Sequence, residues 1–200
     1  GAADTTKIPA ILRRAMKIAN HYLKAHIDDH PDLRGMGGTV VVAVATGQGL
    51  YWLSVGDSPL YLFRDRQLVR LNDDHSMAPQ IDLMVREGLM DAEIGRNHPQ
   101  RSCLTSALLG EDIGEVDCPD TAFELREGDL VLLASDGLQF LPDERIEAVL
   151  RRSGRGQSAR IADDLMSGVA ALDDPEQDNI SLVVIKAGGG TAPSGSSPGL

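Results

Sequence analysis

Three aspartates stand at the ends of apolar runs. Asp57 follows Leu50–Val55 (LYWLSV) through Gly56, Asp136 follows Leu130–Ala134 (LVLLA) through Ser135, and Asp178 with Asn179 opens Ile180–Ile185 (ISLVVI). Runs of this kind suit strands covered on both faces. In an antiparallel sheet the C-terminal end of one strand lies beside the N-terminal end of its neighbour, so the three carboxylates can gather at one edge. Gathered there, they repel and raise one another's pKa unless a cation neutralises them, and an all-oxygen ligand set selects a hard ion such as Mg²⁺ or Mn²⁺. Taken alone, Ser135-Asp136-Gly137 also reads as a plain turn, since Asp bonds its own backbone two residues on and Gly tolerates positive φ.

Gly56-Asp57-Ser58, Asp74-His75-Ser76, Ser135-Asp136-Gly137-Leu138 and Asp178-Asn179-Ile180-Ser181 follow one another along the chain, and Gly35-Met36-Gly37-Gly38-Thr39 leads into a strand ahead of them. In this order and spacing, from Gly35 to Val184, the chain resembles the metal-dependent protein phosphatases (the PPM, or type 2C, family). The resemblance implies an α+β fold, the αββα sandwich of two antiparallel β-sheets flanked by helices, with metals at one end of the sheets. It implies a protein serine/threonine phosphatase that hydrolyses phosphoserine and phosphothreonine by a metal-bridging hydroxide, without a covalent phosphoenzyme. Carried over residue by residue, Asp136 and Asp178 are expected to ligate a catalytic pair of Mg²⁺ or Mn²⁺ ions, with Asp136 shared, and Asp57 to ligate a third, weaker ion. No catalytic side chain is expected beyond these ligands.

Asp74, His75 and Ser76 are expected at a flap beside the site, Asp74 and Ser76 reaching it through water. Gly35, Gly37, Thr39, Gly56, Gly137 and Asn179 are expected to shape turns. Gly-Met-Gly-Gly also occurs elsewhere in the family, behind an aspartate that ligates both metals. Here Arg34 precedes it and Val40–Ala45 is a β run, so Gly35–Thr39 is read as a structural turn opening a strand.

The family also places strands, a phosphate-binding arginine and its bridging aspartate ahead of the first helix seen here. The chain therefore reads as N-terminally truncated, weak or inactive alone and active in the complete protein. An arginine that often follows Gly-Asp-Ser is Pro59 here, and Ser106 replaces another. The alternative function is a catalytically inactive phosphatase-like regulatory or interaction module.

Composition bounds the partners. A net charge of -11 argues against nucleic acid and anionic membranes, which call for basic patches. A phosphorylated protein, the target of a serine/threonine kinase, is anionic too, and only a local cation makes an acidic domain attractive to it. Cys103 and Cys118 have neither zinc-site spacing nor a disulfide framework and read as reduced thiols of a cytoplasmic protein. No apolar run reaches the roughly 18 residues that would insert into a membrane.

The 200 residues suit one domain: 1–7 a linker or cut end, 8–187 the phosphatase-like domain, 188–200 a disordered Gly/Ser/Pro tail. Ile8–Ile27 has helical apolar spacing, with Ile8, Ile11, Leu12, Ala15, Ile18, Ala19, Tyr22 and Leu23 in one stripe. His21, His26 and His30 fall at its solvated end and are read as surface residues. Gly38–Ala45, Leu50–Val55, Leu60–Arg64 and Gln67–Leu71 read as an antiparallel meander. Met77–Glu87 reads as a short helix, followed by a polar loop through Arg101. Cys103–Gly110 and Glu115–Leu125 read as further β structure, Asp143–Arg152 and Gln157–Leu172 as helices, and Asn179–Lys186 as the last strand. His75 and His98 sit beside no nucleophile and are read as structural or flap residues.

Overall fold

The computed structural model describes residues 5–175 and 177–188. A 3-10 turn, Thr5–Lys7, runs directly into helix α1, Ile8–Asp29, so residues 5–7 are part of the helical start and not a linker. Residues 1–4 and all of the expected tail except Gly188 lie outside the described residues.

Two antiparallel sheets follow. Strands β1 (Val40–Thr46) and β2 (Gly49–Val55) form a hairpin in which Val40 opposes Val55. Strands β3 (Leu60–Arg64), β4 (Gln67–Arg70), β5 (Leu130–Ala134) and β6 (Leu182–Lys186) form the second sheet in the order β4-β3-β5-β6. The expected meander is thus divided: β2 and β3 do not pair, and the chain changes sheets across Gly56–Pro59.

Side-chain alternation explains the layers, because successive residues of a strand face opposite sides of its sheet. Leu53 and Val55 of β2 pack with Met16 and Leu12 of α1. Leu50 and Trp52 of the same strand pack inward with Leu60 and Leu62 of β3 and Val131 of β5. The opposite parity, Tyr61, Phe63, Leu130 and Leu132, meets Ile146, Leu150, Ile161 and Leu165 of helices α4 (Asp143–Ser153) and α5 (Ser158–Ala170). Three apolar interfaces therefore separate four layers, and the expected αββα sandwich is present.

Other expectations are corrected. Only the Leu12–Met16 side of the α1 stripe meets the sheet, while Ile11, Ile18 and Tyr22 of that stripe are exposed. Residues 103–110 and 115–125 form no strand among the described residues. They form single bridges instead, Asp117 with Ser54 and Phe123 with Leu50 on β2, Leu108 with Gly38 ahead of β1, and Leu104 with Ser76. Helix α2 (Ala78–Arg86) is as expected, but the polar loop beyond it contains α3 (Ala92–Arg96), capped by Asp91, whose carboxylate accepts the Glu93 and Ile94 N–H groups. Strand β6 begins at Leu182, so Asp178–Ser181 stands outside the ladder. Among the described residues no helix is long and apolar enough to cross a membrane.

Candidate functional site

The crossing between sheets carries Asp57, and its conformation is fixed from three sides. Gly56 has φ +101°, and a β-carbon on it would lie 2.3 Å from Thr39 Cγ2, so no other residue fits. The hydroxyls of Thr39 and Ser58 are bonded at 2.7 Å. Buried Asn72 accepts the Leu60 N–H through Oδ1 at 2.8 Å and donates through Nδ2 to Ser58 O at 3.0 Å and Ser54 Oγ at 3.1 Å. Arg70 donates from Nη2 to Asp57 O at 2.7 Å, from Nη1 to Asp74 Oδ2 at 2.8 Å, and from Nε to Asn72 Oδ1 at 3.2 Å.

At the end of β5, Asp136 opens a 3-10 turn through Phe140. A β-carbon on Gly137 would meet Asn179 O at 2.5 Å, which presses the Asp178-Asn179 segment against this turn. Ser135 completes the clasp, its Oγ accepting the Ser181 N–H at 2.9 Å and its N–H donating to Ser181 O at 3.0 Å.

Asp57, Asp74 and Asp136 line one open cavity of about 450 Å³, with Ser76, Arg101 and Gln139 also on its wall. Burial, and then the charge of Asp136, push the Asp57 carboxyl above the ordinary aspartate value. Asp74 Oδ1 is buried and has no hydrogen-bond partner. Mutually repelling carboxylates and a bare carboxylate oxygen suit an oxygen-loving divalent cation, which such a site holds through one or two carboxylates and several waters. The residues therefore fit a divalent ion along one wall. Among the described residues no group of three or more His, Cys, Asp or Glu side chains is gathered tightly enough to enclose one.

Of the three expected ligands, then, the fold brings Asp57 and Asp136 to one cavity. Asp178 is exposed, accepts the Asn179 N–H on its own Oδ1 at 2.6 Å, and does not line that cavity. His75 is buried and accepts the Gly56 N–H, and Ser76 Oγ accepts the Ala78 N–H at 3.1 Å as α2 begins. Cys103 and Cys118 are both free thiols.

Arg70, Asn72, Asp82 and Arg101 were invisible to motif reading. The last two form a paired bridge on the cavity's flap side, Arg101 Nη1 and Nη2 donating to the Asp82 oxygens at 2.7 and 2.9 Å. The only local signal is the polar pair Arg70 and Asn72 at alternate positions across the end of β4.

No family model matches the chain. It is 35% identical over 176 residues to the serine/threonine protein phosphatase PstP of Mycobacterium tuberculosis, a match covering 88% of this chain but 32% of that protein, so the chain spans about a third of that relative. It is 30% identical over 181 residues to the serine/threonine phosphatase stp of Listeria welshimeri, covering 90% of this chain and 68% of the relative. The solved catalytic domain of PstP in complex with two manganese ions superposes with a TM-score of 0.67 at 29% identity, over 92% of this chain and 71% of that one. With the ordered motifs, the layered sheets and these similarities, the chain belongs to the bacterial metal-dependent (PPM-type) serine/threonine protein phosphatases.

Proposed function

We propose that residues 8–187 form a phosphatase domain that removes phosphate from phosphoserine and phosphothreonine of a cytoplasmic protein modified by a serine/threonine kinase, using Mg²⁺ or Mn²⁺. The observation that carries this reading is the shared cavity of Asp57 and Asp136, with the unbonded Asp74 oxygen beside them. Asp136 and Asp178 are assigned to a catalytic ion pair and Asp57 to a third ion, in keeping with the two manganese ions of the PstP catalytic domain. Divalent ions bound there supply a water acidified for attack and positive charge against the phosphoryl oxygens.

The chain's own residues do the rest. Asp57 and Asp136 hold negative charge at the sheet end. Gly137 and Ser135 fix the turn that aims Asp136. Arg101, gripped by Asp82, presents a guanidinium to the cavity from the flap side, where a phosphate group enters. Residues 188–200 are assigned to a tail outside the domain.

With Asp57 and Asp136 on the cavity and the third expected ligand, Asp178, outside its lining, turnover by this chain alone is expected to be slow, since misplacement of reacting groups costs on the order of a hundredfold. Hydrolysis of a phosphothreonine peptide and of p-nitrophenyl phosphate with and without Mn²⁺ tests the reading. Slow turnover that requires Mn²⁺ and disappears with chelator, Asp136→Asn or Asp178→Asn is expected. Turnover indifferent to chelator, or absence of Mn²⁺ binding, overturns it.

A further inference from the structure

Arg70 places a positive charge beside two aspartates of the proposed cation site. It ends β4, is one-fifth exposed, and spends its three donor nitrogens on three different acceptors. One of these, Asp57 O, lies on the crossing between the sheets. Another, Asp74 Oδ2, lies on the connection from β4 to α2, and the third is Asn72 Oδ1 between them. Asp57 and Asp74 are seventeen residues apart in sequence, yet one rigid group ties them together. A guanidinium is planar and its donors point in fixed directions, so engaging three acceptors at once sets the relative placement of the groups that accept. Bonding at Asp57 goes to the main-chain oxygen and leaves both carboxylate oxygens of that side chain for the cavity. Bonding at Asp74 goes to Oδ2 and leaves Oδ1 buried and unpartnered.

Resting on the phosphatase reading above, we propose that Arg70 is a positioning residue, which holds Asp57 and Asp74 so that each turns a free carboxylate oxygen toward a divalent ion in the shared cavity. The sign of the effect distinguishes this from a plain charge effect. A cation near a cation site repels the ion, so an Arg70 that acted by charge alone would weaken Mn²⁺ binding, and its removal would tighten it. An Arg70 that positions ligands strengthens binding, and its removal loosens it.

The test is isothermal titration of the 200-residue chain with Mn²⁺, for the parent, Arg70→Gln and Arg70→Lys, each checked for folding by circular dichroism. Both variants are expected to bind Mn²⁺ about tenfold more weakly or worse, the usual result of losing a group that orients metal ligands. Lysine keeps the charge but not the fork, and is expected to restore little. Unchanged or tighter binding in both variants, or full recovery in Arg70→Lys, overturns the proposal. Should the Arg70 variants fail to fold, Asp74→Asn keeps an oxygen for Arg70 to donate to and removes only the carboxylate charge. Its Mn²⁺ affinity is expected to fall about tenfold by the same reasoning, and unchanged affinity overturns the assignment. A parent that binds no Mn²⁺ removes the phosphatase reading and the Arg70 role together, whereas a parent that binds and variants that match it remove only the latter.

Discussion

His75 and Gly56 hold each other through two hydrogen bonds: the Gly56 N–H donates to His75 Nδ1 at 3.1 Å, and the His75 N–H donates to Gly56 O at 3.2 Å. The first bond assigns the ring proton to Nε2. Together the two bonds fasten the segment carrying Asp74 and Ser76 to the crossing that carries Asp57, so two motifs far apart in sequence become one wall.

His75→Ala should leave the Gly56 N–H buried without its acceptor, a change that costs about 1–3 kcal/mol. Urea unfolding of parent and variant measures it. His75→Gln, whose amide oxygen can accept, should recover part of the loss, while equal losses in the two variants would mean that ring packing and not the hydrogen bond matters.

Asp136→Asn should abolish the rise in melting temperature that Mn²⁺ gives the parent, because it removes ligand charge from a site whose hold on the ion is mainly Coulombic. Without metal the variant should melt at the same temperature or higher. Asp57 is pushed up by burial and by the Asp136 charge, so keeping it ionised in the folded state is unfavourable above its folded pKa, and that penalty disappears as pH falls through this value. The advantage of the variant in the absence of metal should therefore be visible at neutral pH and vanish at acid pH. Melting curves with and without Mn²⁺ across that range check both parts, and an undiminished Mn²⁺ shift in the variant would make Asp136 a turn residue only.

Much of this was legible in the sequence, and the failures have identifiable causes. The strands β2, β3 and β5 announce themselves because they are apolar on both faces, as strands between two layers must be. Which sheet each joins is another matter: alternation says which residues share a face, but the separation of β2 from β3 is held by Arg70, Asn72 and His75, whose bonds link distant positions. The segments Cys103–Gly110 and Glu115–Leu125 are not strands: Phe123 bridges Leu50 of β2 and Leu108 bridges Gly38 ahead of β1, and both side chains pack against a core. The Asp91 cap of α3 is readable as an aspartate before a helical stretch with an acidic residue, Glu93, in its first turn. The bridge from Asp82 to Arg101 had no such signal, being set by how the flap folds back on itself.

Tyr61 should make the protein sensitive to alkali. Burial, and then the neighbouring Asp143 charge, push its hydroxyl up to about 12 from the ordinary value of 10.0. A folded state that keeps the proton while the unfolded chain loses it is less stable at every step between those two values, so stability present below pH 10 should drain away toward pH 12. Two pKa units correspond to about 2–3 kcal/mol. The unfolding free energy of the parent should therefore fall by about 2–3 kcal/mol relative to that of Tyr61→Phe over this interval. Parallel curves would place the alkaline sensitivity elsewhere.

Asp129 tests whether stability and ion binding can be separated, because it lies at the start of β5 while Asp136 follows its end. It is 2% exposed and bonded by Arg64 through Nε at 2.9 Å and Nη2 at 2.6 Å, with the Arg126 N–H at 2.7 Å on the same oxygen as Nη2. Burial works to raise its carboxyl, but the Arg64 bonds and the Arg126 N–H together hold it below the ordinary aspartate value. A depressed carboxyl contributes stability above its unfolded value of 3.8, and that contribution fades as pH drops through the folded one. Asp129→Asn should thus cost about 1.5–3 kcal/mol at neutral pH, since it removes a buried carboxylate that accepts charge-assisted bonds from the partly exposed Arg64. The deficit should shrink in acid, where the parent loses the same ion pair. Mn²⁺ affinity of the folded variant should stay at the parent value throughout. A parallel fall in affinity would mean that the two ends of β5 are coupled, and that the carboxylates at the site answer to packing along the whole strand.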